Sequence, residues 1–147
     1  MWVISMIREL VKDEKFLSLK SSPASKKDVK VINDLLDTFH NWNYAHQGRG
    51  YCTGMAANMI GERKNIILIH NGITDEIMIN PVIIDKKDPY QAEEHCICLS
   101  EPHQALRYNT ITVRYRNINF EPCTETFTGF TAQTIQHEID HTKGIVI

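Results

Sequence analysis

The apolar positions of this chain change period several times, and each change marks an element. From Ser25 to about Tyr44, Val29, Ile32, Leu35, Leu36, Phe39 and Trp42 recur at helical spacing, which predicts an amphipathic helix packed on a core. Ser25-Lys26-Lys27-Asp28 at its start has the form of a capping box, a hydroxyl residue followed three positions later by an acid. Gly48 to Gly61 is rich in small residues and reads as a loop. Asn65-Ile66-Ile67-Leu68-Ile69-His70 predicts a short buried strand, and Asn71-Gly72 is a hairpin turn signal. A second apolar run, Ile77 to Ile84, is interrupted by Asn80-Pro81. Proline has no N–H for a ladder, so it is expected at a strand edge or a bulge. Asp85 to Glu94 is polar and predicts an exposed loop. Ile111, Val113 and Tyr115 alternate with Thr112, Arg114 and Arg116, the period of a half-buried strand over Ile111 to Ile118. Thr124 to Phe130 predicts another strand. A last helix is predicted from about Ala132 to Thr142, with Thr131 as its N-cap and Gly144 just beyond its end. Strands in the middle with a helix on either side make an α+β domain with antiparallel pairing.

Length and composition narrow the picture. A chain of 147 residues suits one domain, 1–147, with a core of its own. Hydrophobic residues make up 42% and charged residues 23%, the balance of a folded chain and not of a disordered one. A net charge of −2 argues against a nucleic-acid binder that works by bulk charge. No apolar run approaches the ~18 residues of a membrane span. The opening MWVISMIREL has no basic head, and the charged Lys12-Asp13-Glu14-Lys15 follows it, so a folded segment and a cytoplasmic location are expected. Four cysteines, at positions 52, 96, 98 and 123, do not make a dense disulfide framework.

The chemistry is concentrated in the last helix. His137-Glu138-Ile139-Asp140-His141 fits H-E-x-x-H. Histidines at i and i+4 stand one turn apart on one face, so both imidazoles reach one ion. Glu138 lies about 100° round the helix, able to touch water at that ion without being a ligand. Ala132, Ile135 and Ile139 fall on the opposite face, so the helix is expected to be covered on both sides. A third ligand has to come from elsewhere, because catalytic sites of this kind keep three protein ligands and one open position. Cys98, in His95-Cys96-Ile97-Cys98-Leu99-Ser100, is the best candidate and Cys96 its nearest rival. On an extended strand the two thiols would point to opposite faces.

Three segments resemble the signature motifs of peptide deformylases. Gln136-His137-Glu138-Ile139-Asp140-His141 is similar to Q-H-E-x-D-H, Cys98-Leu99-Ser100 to the end of E-G-C-L-S, and Gly54-Met55-Ala56-Ala57-Asn58-Met59 to the end of G-x-G-L-A-A-x-Q. The resemblance runs from about Met6 to the end. It implies a fold of antiparallel sheets around a central helix carrying H-E-x-x-H, with an N-terminal packing helix. It also implies a metal-dependent hydrolase that removes the N-formyl group from the first methionine of newly made polypeptides. On this resemblance the ligands are Cys98, His137 and His141, the base is Glu138, and the Leu99 N–H donates to the developing oxyanion. Met55, Ile97 and Leu99 are expected to line a methionine pocket, with Gly54 and Met59 also facing the substrate. One divalent ion is implied, Fe²⁺ first and Zn²⁺ or Ni²⁺ as substitutes, in a monomer with no membrane or nucleic-acid partner.

Two departures from the family pattern stand out. Met59 occupies the place of a glutamine that helps the oxyanion, and Asn58 is one position early. With the middle motif set on Cys98, Cys96-Ile97 replaces Glu-Gly, and a glutamate–arginine pair, with Arg114 as the expected arginine, is lost. These departures leave a second reading open, a homologue with a metal site but weak or altered activity. A zinc peptidase of the wider H-E-x-x-H type is disfavoured, because no third His or Glu follows the helix. Asp140 is expected to support the ligands, and His95 and His103 to be plain loop residues.

Overall fold

The computed structural model describes residues 5–46 and 52–147. Part of the expected small-residue loop, residues 48–51, lies outside the described residues, as do the first four positions. Among the described residues the elements run α1 (Glu14–Leu17), α2 (Val29–Ala45), β1 (Gly54–Ala56), β2 (Ile66–His70), β3 (Asp75–Glu94), β4 (His103–Arg116), β5 (Pro122–Thr128) and α3 (Gly129–Thr142). The strands form one antiparallel sheet in the order β1-β2-β3-β4-β5, a meander in which every neighbour in sequence is a neighbour in space. This is the α+β architecture expected, with α3 packed on β4, β2 and β1.

The N-terminal helix forms where its pattern places it. The Ser25 side chain accepts from the Lys27 N–H, and Asp28 accepts from the Ser25 N–H. Ile32, Leu35 and Phe39 are buried, while Val29 is exposed and Val31 takes its place in the core. The β2–β3 hairpin turns at Asn71, whose Oδ1 accepts from the Ile73 and Thr74 N–H groups. The register shifts between Ile79 and Val82, a bulge at Asn80-Pro81, as the proline requires. Asn80 has φ 53, and its side chain pairs with the Ala24 backbone in both directions.

Several boundaries differ from expectation: β1 lies inside the stretch read as a loop, β4 starts at His103, itself expected in a loop, and not at Ile111, and β5 runs Pro122–Thr128. The polar stretch 85–94 is strand and not loop; it pairs with β4 from Asp85↔Thr112 to Glu94↔His103. Polarity misled because this half of the hairpin is wet on both faces, and only Ala92 and Glu94 in it are buried. The last helix begins at Gly129, three residues early, with Thr128 and not Thr131 at its N-cap. Gly129, at φ 63, turns β5 directly into the helix, so Phe130 leaves the strand and stands exposed in the first turn. The helix ends as expected, with Gly144 at φ 78, a position where a Cβ would run into the Ser18 carbonyl.

Candidate metal centre

Helix α3 is covered on both sides. Ala132, Ile135 and Ile139 face the sheet, and His137, Glu138 and His141 are buried on the other side. The one-turn spacing brings His137 Nε2 and His141 Nε2 to 3.1 Å from each other. Cys96 Sγ lies 3.4 Å from His141 Nε2. The three donor atoms all fall within 4.8 Å of one another, and the three residues are buried. Two imidazoles and a thiolate suit a divalent transition metal with a fourth position left open. The convergence of two ring nitrogens at 3.1 Å is itself the arrangement a shared cation needs.

The thiol in this cluster is Cys96, not Cys98. Cys96 and Cys98 do not sit on an extended strand. The Leu99 N–H donates to the Cys96 carbonyl at 3.0 Å, closing a turn with Ile97 and Cys98 at its corner. The neighbouring Cys98 thiol and the two imidazoles outweigh burial and push the Cys96 thiol far down. Cys98, beside Cys96 and buried, is pushed up. A motif register two residues earlier therefore fits the structure, with Glu94-His95-Cys96 in the place of E-G-C.

That register restores the glutamate–arginine pair that a motif set on Cys98 lacks. Glu94 accepts two hydrogen bonds from Arg107, at 2.7 and 2.8 Å, and the arginine is Arg107 rather than Arg114. Glu94 also accepts from Gln133 Nε2 at 3.0 Å and holds His137 Nδ1 at 2.8 Å. A ring nitrogen fixed this way turns Nε2 toward the cluster. Burial opposes the Glu94 charge, but the bonds to His137 and Arg107 win and bring its carboxyl down to about 2. Arg107 reaches Asp140 at 2.6 Å, so Asp140 does stand behind the ligands. Glu94, Arg107 and Gln133 were missed; the signal was the acid two residues before Cys96.

The site opens into a cleft of about 410 Å³. Gly54, Met59 and Ile97 line it, together with Trp42, Thr134 and Phe130. Two expected lining residues do not. Met55 is fully buried in the core on β1, and the Leu99 N–H, expected to meet an oxyanion, is spent on the turn. Among the described residues the Ile97 N–H has no hydrogen-bond acceptor. Met59 Sδ accepts from the Ala56 N–H at 3.2 Å, and Asn58 points away, donating to the His141 carbonyl at 2.9 Å. Gly54 passes so close to Glu138 that a Cβ there would stand 2.8 Å from Oε2. Glu138 is itself fully buried, with Oε1 lacking any partner among the described residues. Burial raises its carboxyl to about 7 against the pull of His137 and His141.

The family model for polypeptide deformylase matches residues 7–147. The chain belongs to the peptide deformylase family. It is 47% identical over 142 residues to a peptide deformylase of Clostridium beijerinckii, a match covering 97% of this chain and 100% of that one. It is 33% identical to a Desulfotalea psychrophila family member over 82% of this chain and 71% of that one. Among solved structures, the Thermotoga maritima peptide deformylase superposes with a TM-score of 0.82 at 25% identity, over 96% of this chain and 94% of that one. An actinonin-bound deformylase of Acinetobacter baumannii gives 0.80 at 27% identity, over 95% and 94%. The protein is a metal-dependent amidohydrolase of the peptide deformylase type. Among the described residues no helix is long and apolar enough to cross a membrane.

Proposed function

We propose that this chain cleaves the formyl group from N-formyl-methionyl peptides with Cys96, His137 and His141 as metal ligands and Glu138 as the proton carrier. The observation that carries this reading is a buried Cys-His-His cluster beside a buried, unpartnered carboxylate at the inner end of a cleft. Fe²⁺ is the first candidate metal, with Zn²⁺ and Ni²⁺ as substitutes. When bound, the ion supplies positive charge that acidifies water and polarises a carbonyl.

The chain's own residues do the rest. Glu138, buried beside the cluster with Oε1 unpartnered among the described residues, is placed to carry a proton. It takes one from the attacking water at Oε1 or Oε2 and delivers it to the leaving amine. Glu94 keeps the His137 ring fixed while charge moves. The Ile97 N–H, next to Cys96 and without an acceptor among the described residues, is the donor offered to the oxyanion. The cleft admits a narrow chain end, and the apolar faces of Ile97, Phe130 and Trp42 suit a methionine side chain. The family match over residues 7–147 supports reading the chain as one domain.

A slower variant of the same activity is the second reading. It is favoured by Met59, whose sulfur accepts a hydrogen bond in the cleft wall and cannot donate one. The test is formate release from a formyl-methionyl peptide by Fe²⁺-loaded protein, with the unformylated peptide as control. Release that Met59→Gln leaves alone supports the first reading, and release that Met59→Gln raises supports the second. No formate under metal-saturated conditions would overturn both.

A further inference from the structure

Ile97 stands in a turn that little else holds. The Leu99 N–H bond to the Cys96 carbonyl fixes the shape of the turn. Beyond the β3–β4 ladder, two contacts among the described residues fix where residues 95–102 stand. One is Cys96 Sγ at His141 Nε2, and the other is Lys12 Nζ, which donates to the Ile97 carbonyl at 2.8 Å across 85 positions of sequence. We propose that Lys12 is a positioning residue for the reaction: by holding the Ile97 carbonyl, it aims the Ile97 N–H at the oxygen of the carbonyl under attack. The proposal rests on the reading of that N–H as the oxyanion donor.

The segment that carries Lys12 is tied down on both sides, so the ammonium reaches from a fixed base. The Met6 N–H donates to Asp34 Oδ1, the Arg8 N–H to Thr38 Oγ1 and the Val11 N–H to the Met59 carbonyl, each at 2.8 Å. After Lys12, Asp13 caps α1 and its side chain accepts from the Lys15 N–H. Met59 and Ile97 both line the cleft. Two consecutive residues, Val11 and Lys12, therefore hold the carbonyls of two cleft-lining residues from distant parts of the chain. Lys12 has no other hydrogen-bond partner among the described residues, and its side chain is exposed. The charge on the ammonium makes its bond to a carbonyl stronger than one from a neutral donor.

The link from this carbonyl to the N–H is covalent. A planar trans peptide points its N–H opposite to its C=O. Leu99 draws the Cys96 carbonyl into the turn, so the Ile97 N–H leaves the turn on the other side. The next peptide plane carries the Ile97 carbonyl and shares the Ile97 Cα with the first. With Lys12 on that carbonyl both planes are held, and the N–H keeps one direction relative to the cluster. Without it the turn is free to rock about the Cys96 sulfur.

The test measures formate release from a formyl-methionyl peptide by the Fe²⁺-loaded full chain, with metal content and Tm alongside. Lys12→Met keeps the length of the stem and removes the donor, and Lys12→Arg keeps a cationic donor. Lys15→Met removes the same charge from an exposed neighbour. Misplacing a group that acts only in the transition state lowers kcat and kcat/KM together. Lys12→Met is therefore expected to lower kcat by roughly 10-fold, less than the about 10²–10³ for outright loss of an oxyanion donor, with KM, metal content and Tm unchanged. Lys12→Arg is expected to keep most of the natural kcat, and Lys15→Met all of it. The natural kcat in Lys12→Met would overturn the proposal. An equal loss in Lys15→Met would overturn it too, by making the effect one of surface charge. A loss that comes with a lower Tm or missing metal, or that Lys12→Arg shares in full, assigns Lys12 to the fold and removes it from the aiming of the N–H. None of these results touches the deformylase reading, whereas a natural chain that releases no formate overturns that reading and this proposal with it.

Discussion

Gly54→Ala is the smallest change that reaches the chemistry without touching a ligand or the base. Gly54 does not have a positive φ, so alanine adds no backbone strain there. The whole effect is the added methyl. Its Cβ would lie 2.8 Å from Glu138 Oε2, 2.8 Å from Thr134 Cγ2 and 2.9 Å from Glu138 Cγ. Ordinary contact begins near 3.4 Å, so about 0.6 Å has to be found at the carboxylate and at the threonine together. Both neighbours belong to α3, which is fixed behind by the sheet, so the carboxylate is the group that moves. Overpacking of this kind costs roughly 1–3 kcal/mol of stability. A misplacement approaching 1 Å at a reacting group costs about 10²-fold in rate. The expected result is kcat/KM for formate release down by about 10², metal content unchanged, and Tm lower by a few degrees. Gly54→Ala with Thr134→Ala is expected to regain stability and not rate, because the clash with Glu138 remains. A single mutant that keeps its full kcat/KM would refute the claim that Gly54 sets the position of Glu138.

Three further outcomes follow from the geometry. Cys96→Ala is expected to strip the metal and Cys98→Ala to retain it, read by metal analysis of the purified proteins. Glu94→Ala leaves Arg107 buried without its main partner, a change worth about 3–5 kcal/mol, so Tm is expected to fall by on the order of 10 °C, with metal affinity down roughly 10–100-fold from the loosened His137. Asp34, fully buried, accepts from the Met6 N–H, from Arg8 and from Lys30. Burial opposes its charge, but these bonds hold its carboxyl below the ordinary 3.8. A folded-state value below the unfolded one means stability that is complete above pH 3.8 and lost as pH falls through the folded value. Asp34→Asn is therefore expected to cost about 1–3 kcal/mol at pH 7 and to flatten the acid limb of the stability–pH curve, measured by urea unfolding.

Much of this was legible in the sequence because the signals were local. The capping box at Ser25, the turn at Asn71, the bulge at Pro81 and the i, i+4 histidines each depend on a few adjacent residues. What failed depended on context. Residues 85–91 are polar because both faces of that part of the hairpin are wet, and hydrophobic period cannot report a strand that has no dry face. The choice between Cys96 and Cys98 turned on whether residues 95–100 are extended or turned, and only the Leu99–Cys96 bond decides that. The Cys98-Leu99-Ser100 match puts the motif two places late, and Glu94, which fixes the register through Arg107 and His137, falls in a stretch whose polarity reads as loop. Arg107 and Gln133 come from β4 and α3, and no local pattern ties them to Glu94.

The long β3–β4 hairpin has a consequence of another kind. Its outer half has β5 alongside only from Thr110 onward, and beyond that the two strands have no further strand beside them among the described residues. A two-stranded ribbon is marginal by itself. What holds its tip is the polar hub on α3, through Glu94 with His137 and Arg107 with Asp140, and the Cys96 sulfur at the far side of the turn. The cation site thus doubles as a clasp between the end of a lever and the helix it leans on. Amide exchange along 85–94 and 103–109 would report the occupancy of a site those residues mostly do not touch, because opening the clasp frees the lever as a unit.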